Sequence, residues 1–246
     1  MLKQLNTSLR LSRPRAILFD TDDTLYPYAP ANQIGLDAVE KKIANLLGVN
    51  SRLFRKTYEQ ARIEIKAQLG PTASSHSRLL YFQRVIELLG FRADLLTALD
   101  LEQTFWRTFL ASAHMFPGVT DLLEYLREND IPIAIVTDLT SQIQLRKLCF
   151  FNLETTFDAV VTSEEVGADK PDRRNFDLTL RKLGLDSYEH IWMIGDNPET
   201  DIKGGKTVGA ITFQKVHSAL RVGTGKLQPD FSFSSFYDIL SMLRSL

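Results

Sequence analysis

The chain has 246 residues, of which 44% are hydrophobic and 24% are charged. This composition is close to that of average globular proteins, and it excludes a chain that is disordered throughout. The 29 basic residues balance the 30 acidic ones, and the net charge of -1 provides no long-range field that would recruit nucleic acid or an anionic membrane surface.

The apolar segments are too short to cross a membrane. A bilayer span takes about 20 apolar residues, and the longest candidate, residues 131–136, is interrupted by Pro132. Residues 1–15 carry basic side chains and no acidic one, but they lack the apolar block of about 7–15 residues that a secretory signal needs. We therefore expect a soluble, cytoplasmic protein with a frayed basic arm at residues 1–15. A short organelle-targeting segment is the alternative for these residues.

The single cysteine, Cys149, excludes an internal disulfide and a metal site made of several thiolates. It lies in the apolar run Leu148-Cys149-Phe150-Phe151. This run predicts that Cys149 is a small, buried hydrophobic residue.

A short apolar segment at residues 16–19 is followed at once by the acidic cluster Asp20-Thr21-Asp22-Asp23-Thr24. An apolar block of this length that ends in polar residues predicts a buried strand leading into a loop. The strand would place Asp20 at its carboxyl end.

Residues 26–115 have the spacing of helices. Apolar side chains recur there every three or four residues, with no strand pattern between them. Two helices precede the break at Gly70-Pro71, with Gly48 as the end of the first and Ser51 as the N-cap of the second. Two more helices are predicted over residues 79–89 and 95–110.

Beyond residue 116, strands and helices alternate, which is typical of a parallel α/β sheet. The predicted strands are at residues 131–137, 157–162, 191–195 and 210–213, and the predicted helices are near 142–151, 175–183 and 200–208. Only this region supplies partners for the strand at residues 16–19, so the helical region is an insertion. We predict an α/β core domain of residues 16–25 and 116–246 and an α-helical cap domain of residues 26–115.

Polar side chains follow the predicted strands, where ligands bind in open α/β sheets. They are Asp20 and Asp22 after the first strand, Thr137 after the second, Lys170-Pro171 after the third, and Gly195-Asp196 after the fourth, with Asp201 five residues later. We expect these side chains to meet at one edge of the sheet.

Carboxylates that crowd together favour a bound cation, because an unneutralised buried carboxylate costs several kcal/mol. A hard divalent ion with oxygen ligands fits best, and Mg²⁺ is the first choice. An EF-hand loop counted from Asp20 would need glycine and glutamate where Leu25 and Ala31 stand. A Walker loop ending at Gly205-Lys206-Thr207 would need glycine at Thr200. Both loops are therefore excluded.

The four segments resemble, in the same order, the four motifs of the haloacid dehalogenase-like (HAD) hydrolases. They are Asp20-Thr21-Asp22-Asp23-Thr24, Thr137, Lys170-Pro171 and Gly195-Asp196-Asn197-Pro198-Glu199-Thr200-Asp201. The resemblance covers essentially the whole chain from Ala16 onward, and the helical insertion looks like the family's type-one cap. It implies a Rossmann-like parallel sheet, with the strand that ends at Asp20 near its centre.

The resemblance also implies a role for each motif. Asp20 would be the nucleophile that forms an aspartyl-phosphate, and Asp22 would be the general acid and then the general base. Thr137 would hold a phosphate oxygen, and Lys170 would stabilise the transferring phosphoryl group. Mg²⁺ would be bound by Asp20, Asp196 and the main-chain carbonyl of Asp22.

Two further acidic residues have less defined roles. Asp201 would orient Lys170 or a metal-bound water, or else favour the positive N-terminus of the helix that follows it. Asp138 stands where many family members have asparagine. Its charge would oppose a phosphate dianion, so we expect no contact between Asp138 and substrate.

The predicted function is a Mg²⁺-dependent phosphatase for a small phosphorylated metabolite, because a large helical cap favours substrates that fit an enclosed pocket. A 2-haloacid dehalogenase on this fold needs no metal and no carboxylic acid at the position of Asp22, so Asp22 argues against it. A phosphomutase would share Asp20 and Asp22. A non-catalytic binding protein would be favoured by loss of a motif residue, and none is lost. The substrate stays open, as does the choice between monomer and homodimer.

Overall fold

The computed structural model describes residues 1–217 and 220–246, and the chain divides into two compact units. Met1–Pro27 and His114–Leu246 form one unit, and Tyr28–Ala113 form the other. We call them the core unit and the cap unit. The boundaries predicted after residues 25 and 115 each lie two residues from this division.

The core unit is built on a seven-stranded sheet, and its strands are β1 (Lys3–Gln4), β2 (Ala16–Phe19), β3 (Ile133–Thr137), β4 (Ala159–Thr162), β5 (Ile191–Gly195), β6 (Ile211–Lys215) and β7 (Phe231–Phe233). Their order across the sheet is β1-β7-β6-β5-β2-β3-β4. Neighbours are parallel except for β1 and β7, which are antiparallel. The predicted α/β class with a Rossmann-like core is confirmed.

The strand β2 lies between β3 and β5, and all three are buried because they are continuous apolar runs. Chain order reverses at β2, with β3 on one side and β5 on the other. Phe19 pairs with Ile135 and with Ile194. The carboxyl ends of β2, β3 and β5 therefore lie side by side at one edge of the sheet. Such a reversal is where doubly wound sheets bind their ligands.

The cap unit contains the α-helices α1 (Tyr28–Leu47), α2 (Ser51–Leu69), α3 (Arg78–Leu88) and α4 (Leu95–Ser112), and a short 3-10 helix, Ala73–His76. Helices α3 and α4 begin and end within two residues of their predicted bounds. Helices α1 and α2 lie before and after Gly48, as predicted. The predicted N-cap at Ser51 is wrong by one residue, because the side chain of Asn50 accepts the hydrogen bond from the backbone N–H of Leu53. The helices pack around buried aromatic rings that include Phe54, Tyr81, Phe82, Phe105 and Phe109.

Among its described residues, the core unit also contains six α-helices: α5 (Val119–Glu128), α6 (Ser141–Phe150), α7 (Ser163–Val166), α8 (Arg173–Lys182), α9 (Lys203–Val208) and α10 (Phe236–Leu243). A π-helical turn, Pro198–Ile202, precedes α9. The sequence patterns did not predict α5, α7, α10 or the three-residue strand β7. In the part of the chain that the structure describes, no helix is both long enough and apolar enough to span a membrane.

The expectation of a frayed arm at residues 1–15 is wrong for its first residues. Lys3 and Gln4 pair with Ser232 and Phe231 in β7. The backbone N–H of Leu5 donates to the carbonyl of Asp230 at 2.8 Å. A two-residue edge strand is too short to leave a signature in composition or periodicity.

The expected burial of Cys149 is also wrong, because its side chain is exposed. The inward face of α6 carries Ile143, Gln144, Lys147 and Leu148 instead. The helical repeat therefore turns Cys149 to solvent and buries a lysine two residues earlier.

Candidate active site

Asp20 directly follows β2, and 7% of its surface is exposed. Its Oδ1 accepts a hydrogen bond from Lys170 Nζ at 2.7 Å, and its Oδ2 accepts one from Thr24 Oγ1 at 3.1 Å. Burial raises the pKa of the Asp20 carboxyl, the charge of Lys170 opposes that shift, and the carboxylate of Asp201 adds to it. Even with Lys170 beside it, Asp20 is therefore held less readily as an anion than in water, and further positive charge would favour the anion.

Lys170 is 4% exposed and uses all three protons of its ammonium group. Nζ donates to Asp20 Oδ1 at 2.7 Å, to Asp201 Oδ1 at 2.7 Å and to the carbonyl of Val136 at 2.8 Å. Burial alone would lower the pKa of Lys170, but the charges of Asp20 and Asp201 raise it well above its ordinary value. Lys170 is thus a fixed, permanent cation beside Asp20.

Asp201 holds Lys170 in place. Its Oδ1 accepts from Lys170, and its Oδ2 accepts from the backbone N–H of Asn197 at 3.0 Å. The approach requires glycine at position 195, because a Cβ there would lie 2.4 Å from the side chain of Asp201. The close approach of Asp201 therefore explains why the last residue of β5 is a glycine.

Asp196 follows Gly195 and is 8% exposed. Its Oδ1 accepts from Thr24 Oγ1 at 3.3 Å, and its carbonyl accepts from Gln214 Nε2 at 2.9 Å. Burial raises the pKa of the Asp196 carboxyl, and the negative charge of Asp20 raises it further. Thr24 thus bridges the two carboxylates that follow β2 and β5.

One oxygen from each of Asp20, Asp196 and Asp201 lies within 4.8 Å of the other two. When all three carboxyls are ionised, their charge exceeds the single charge of Lys170 by two. A divalent cation with oxygen ligands would favour that ionised state. Asp201 is the most buried of the three at 1% exposed, and its two oxygens accept from Lys170 and from the backbone of Asn197. Asp20 and Asp196 are more exposed, at 7% and 8%, and are therefore the better ligands.

The side chain of Asp22 has different partners. Both of its carboxylate oxygens accept from Lys147 Nζ, at 2.8 Å and 2.9 Å, and its Oδ1 also accepts from the hydroxyl of Tyr26. The side chain is 31% exposed. Its carboxylate is not one of the three in the cluster. Asp22 forms its ion pair with Lys147, whereas Asp20 forms one with Lys170.

Thr137 ends β3 and is 2% exposed. Its hydroxyl lies 2.9 Å from the hydroxyl of Thr21 and accepts from Gln144 Nε2 at 2.6 Å. The predicted phosphate-holding hydroxyl is therefore beside the residue that follows Asp20.

Asp138 supports the backbone of the loop that carries Lys170. Its Oδ1 accepts from the backbone N–H of Lys170 at 2.8 Å. Burial raises the pKa of Asp138 to about 6. The expectation that Asp138 does not contact substrate stays a prediction.

Several polar residues at this edge of the sheet were not predicted, namely Thr24, Gln144, Lys147, Gln214 and Tyr26. Thr24 carried a signal, because it lies four residues after Asp20 in the same acidic segment. Gln144 and Lys147 lie three residues apart on α6, so both project from one helix face. Their polarity on an inward face becomes visible only once the packing of α6 is known.

The sequence matches the haloacid dehalogenase-like hydrolase family over residues 14–209. It is 40% identical to ribulose-1,5-bisphosphate 5-phosphatase of Halopiger xanaduensis over 198 residues, which are 80% of this chain and 82% of that protein. It is 27% identical to glyceraldehyde 3-phosphate phosphatase of Methanopyrus kandleri, over 94% of this chain and 98% of that protein.

The fold is similar to that of the HAD-hydrolase YfnB from Bacillus subtilis, whose solved structure is described as bound to magnesium. The TM-score is 0.72 at 23% identity, and the match covers 95% of this chain and 100% of that one. Family motifs, sheet topology and sequence matches agree, and this chain belongs to the haloacid dehalogenase-like hydrolases.

Proposed function

We propose that this chain hydrolyses a small phosphorylated metabolite through an aspartyl-phosphate on Asp20, with Mg²⁺ as its cofactor. The phosphatase class is confirmed by relatives with named phosphatase activities. The observation that carries the residue assignment is the contact between Asp20 and Lys170 inside a cluster of three carboxyl groups. A phosphate dianion approaches such a cluster only when a cation is bound there.

In the first half-reaction, an oxygen of Asp20 attacks phosphorus and the bond from phosphorus to the ester oxygen breaks. Lys170 neutralises charge on the phosphoryl oxygens, and Thr137 donates a hydrogen bond to one of them. Asp22 enters this step in its protonated form and gives its proton to the departing ester oxygen. The products of this step are the free alcohol and the aspartyl-phosphate.

In the second half-reaction, a water molecule attacks phosphorus and Asp22 takes the proton of that water. Asp20 is released as a carboxylate together with inorganic phosphate. Asp20, Asp196 and the main-chain carbonyl of Asp22 would hold Mg²⁺, which when bound would supply positive charge to the phosphoryl oxygens. Asp201 keeps Lys170 oriented throughout.

Proton transfer by Asp22 favours phosphate ester hydrolysis over removal of a halide, which needs no such acid. We propose a phosphorylated sugar or a similarly small phosphate ester as the substrate class, as in the relatives' names. The cytoplasmic location and the monomeric or homodimeric state stay predictions.

The test is hydrolysis of an aryl phosphate and of a panel of sugar phosphates by the purified protein, with Mg²⁺ and with excess chelator. We expect turnover with Mg²⁺ and its loss with chelator, restored by added Mg²⁺. The Asp20→Asn variant, purified in parallel, measures activity from contaminants. Full activity in chelator would contradict the metal assignment, and inactivity on every ester would contradict the function.

A further inference from the structure

Lys147 is a buried lysine that reaches from α6 to the loop after β2. Its side chain is 2% exposed, and its Nζ donates to both carboxylate oxygens of Asp22, 125 residues away in the chain. A buried ammonium group is strongly unfavourable unless it is paired. An apolar residue at this inward position of α6 would avoid that cost, so the presence of lysine calls for an explanation.

Tyr26 holds the same carboxylate from a second direction. Its hydroxyl donates to Asp22 Oδ1, and the residue is 1% exposed. The ring is fixed by packing, with its centroid 5.0 Å from that of Phe151 and 5.9 Å from Lys147 Nζ. Asp22 is therefore held by two side chains that have little freedom of their own.

Asp20 and Asp22 of the first motif thus have separate cationic partners, Lys170 for Asp20 and Lys147 for Asp22. A general acid must lie within hydrogen-bonding reach of the oxygen it protonates. The Asp22 side chain is partly exposed and lies in a loop, where a carboxylate with no fixed partners would sample several rotamers. Two fixed donors restrict that freedom without contacting the nucleophile.

We propose that Lys147, assisted by Tyr26, is a positioning residue that holds the carboxylate of Asp22 in place for its two proton transfers. This inference rests on the acid and base role given to Asp22 in the proposed function. It assigns a role to a lysine outside the four family motifs.

The first experiment compares Lys147→Met with the wild type on an alkyl phosphate and on an activated aryl phosphate. Poor positioning of a reacting group costs up to about 100-fold in rate. We expect kcat for the alkyl phosphate to fall by about 10- to 100-fold while its KM changes little. Formation of the aspartyl-phosphate from the aryl phosphate should fall less than about threefold, because that leaving group hardly needs a proton.

The second experiment repeats the substitution in the Asp22→Asn background. If Lys147 acts through Asp22, Lys147→Met should change the rate there by less than about twofold. An equal loss in both backgrounds, or an equal loss for both leaving groups, would overturn the positioning role and leave Lys147 as a structural residue. Lys147→Arg should recover part of the alkyl phosphate rate, because its guanidinium also donates two parallel hydrogen bonds.

Lys147→Met could fail to fold, so Tyr26→Phe provides a second test that removes only one hydroxyl group. We expect Tyr26→Phe to lower the rate for the alkyl phosphate more than the rate for the aryl phosphate. If Tyr26→Phe lowered the rate equally for both leaving groups, the positioning role of Tyr26 would be contradicted. The matched control is Lys182→Met, which removes an ion pair with Glu165 in the same unit and should leave the kinetics unchanged. Inactivity of the wild type would refute the proposed function, whereas the outcomes above test Lys147 in an active enzyme.

Discussion

The core unit and the cap unit differ in what they bury. The cap unit, all of whose residues the structure describes, buries the polar side chains Thr57, Ser75 and Thr104 and no charged one. The core unit buries charged side chains, which are Asp20, Lys147, Lys170, Asp196, Asp201, Lys215 and Asp230. Most of these lie near the carboxyl ends of the strands.

This difference separates packing from chemistry. Buried ionic groups add little net stability compared with apolar residues of similar size. They also cluster at functional sites, where their pKa values are perturbed. The cap interior is instead an assembly of aromatic rings, with Phe105 and Trp106 centroids 4.9 Å apart. Substitutions in the core cluster should therefore change rates, and substitutions in the cap interior should change stability.

The largest expected effect is that of Asp20→Asn. Loss of the nucleophile should lower turnover by more than about 10⁴-fold. The fold should survive, because the site disfavours the Asp20 anion and asparagine has nearly the same shape. Steady-state rates and a thermal melt measure the two quantities. Turnover within tenfold of the wild type would mean that another residue attacks phosphorus.

Asp22→Asn should have the next largest effect. Proton transfer by a positioned side chain contributes about 10²–10⁴-fold, so hydrolysis of an alkyl phosphate should fall by that factor. Single-turnover phosphorylation by an activated aryl phosphate should fall much less. Equal losses for the two leaving groups would show that Asp22 acts through metal placement or structure.

In the cap unit, Phe105→Ala should act on stability. Phe105 is fully buried, and its ring centroid lies 6.0 Å from that of Phe82 and 5.8 Å from that of Phe109. Truncation of a buried phenylalanine to alanine costs about 3–5 kcal/mol. Hydrogen exchange of helices α1 to α4 should accelerate, while exchange in strands β2, β3 and β5 should not. Unchanged exchange in the cap would contradict this prediction.

The smallest effect concerns the dependence of stability on pH. Burial raises the pKa of Asp138 from 3.8 to about 6, so the folded protein binds this proton more tightly than the unfolded chain does. The resulting stabilisation is fully present below pH 3.8 and is lost as the pH rises to about 6. The Asp138→Asn variant has no carboxyl group at this position, so its stability does not fall with pH for this reason.

Relative to the wild type, Asp138→Asn should therefore gain up to about 3 kcal/mol of unfolding free energy between pH 4 and pH 7. Denaturant titrations at a series of pH values measure the difference. Asp186→Asn, at a side chain that is 91% exposed, is the control and should follow the wild type. A difference that is constant with pH would contradict the prediction.

The sequence predicted the parts of the fold that repeat regularly. Strands β2 and β5 have the predicted bounds, because each is an apolar run that ends at a polar residue. The short strands β1 and β7 escaped prediction, because two or three residues cannot display a period. Their pairing depends on contacts between the two ends of the chain.

The sequence predicted those site residues that lie at the ends of strands. Asp20, Thr137 and Asp196 come together because parallel strands deliver their carboxyl ends to one edge. Lys147 comes from the middle of a helix, and the apolar run after it suggested that Cys149 was the buried residue. Which face of α6 points inward is set by packing against the sheet, which the local pattern of α6 does not specify.

The most direct test of the account is to identify the residue that carries the phosphoryl group. The protein is mixed with an activated aryl phosphate and Mg²⁺, quenched in acid within one turnover and digested, and the peptides are analysed by mass spectrometry. We predict one added phosphoryl group on Asp20 in the wild type and none in Asp20→Asn. A phosphoryl group on any other residue, or on the Asp20→Asn variant, would contradict the assignment of Asp20 as the nucleophile.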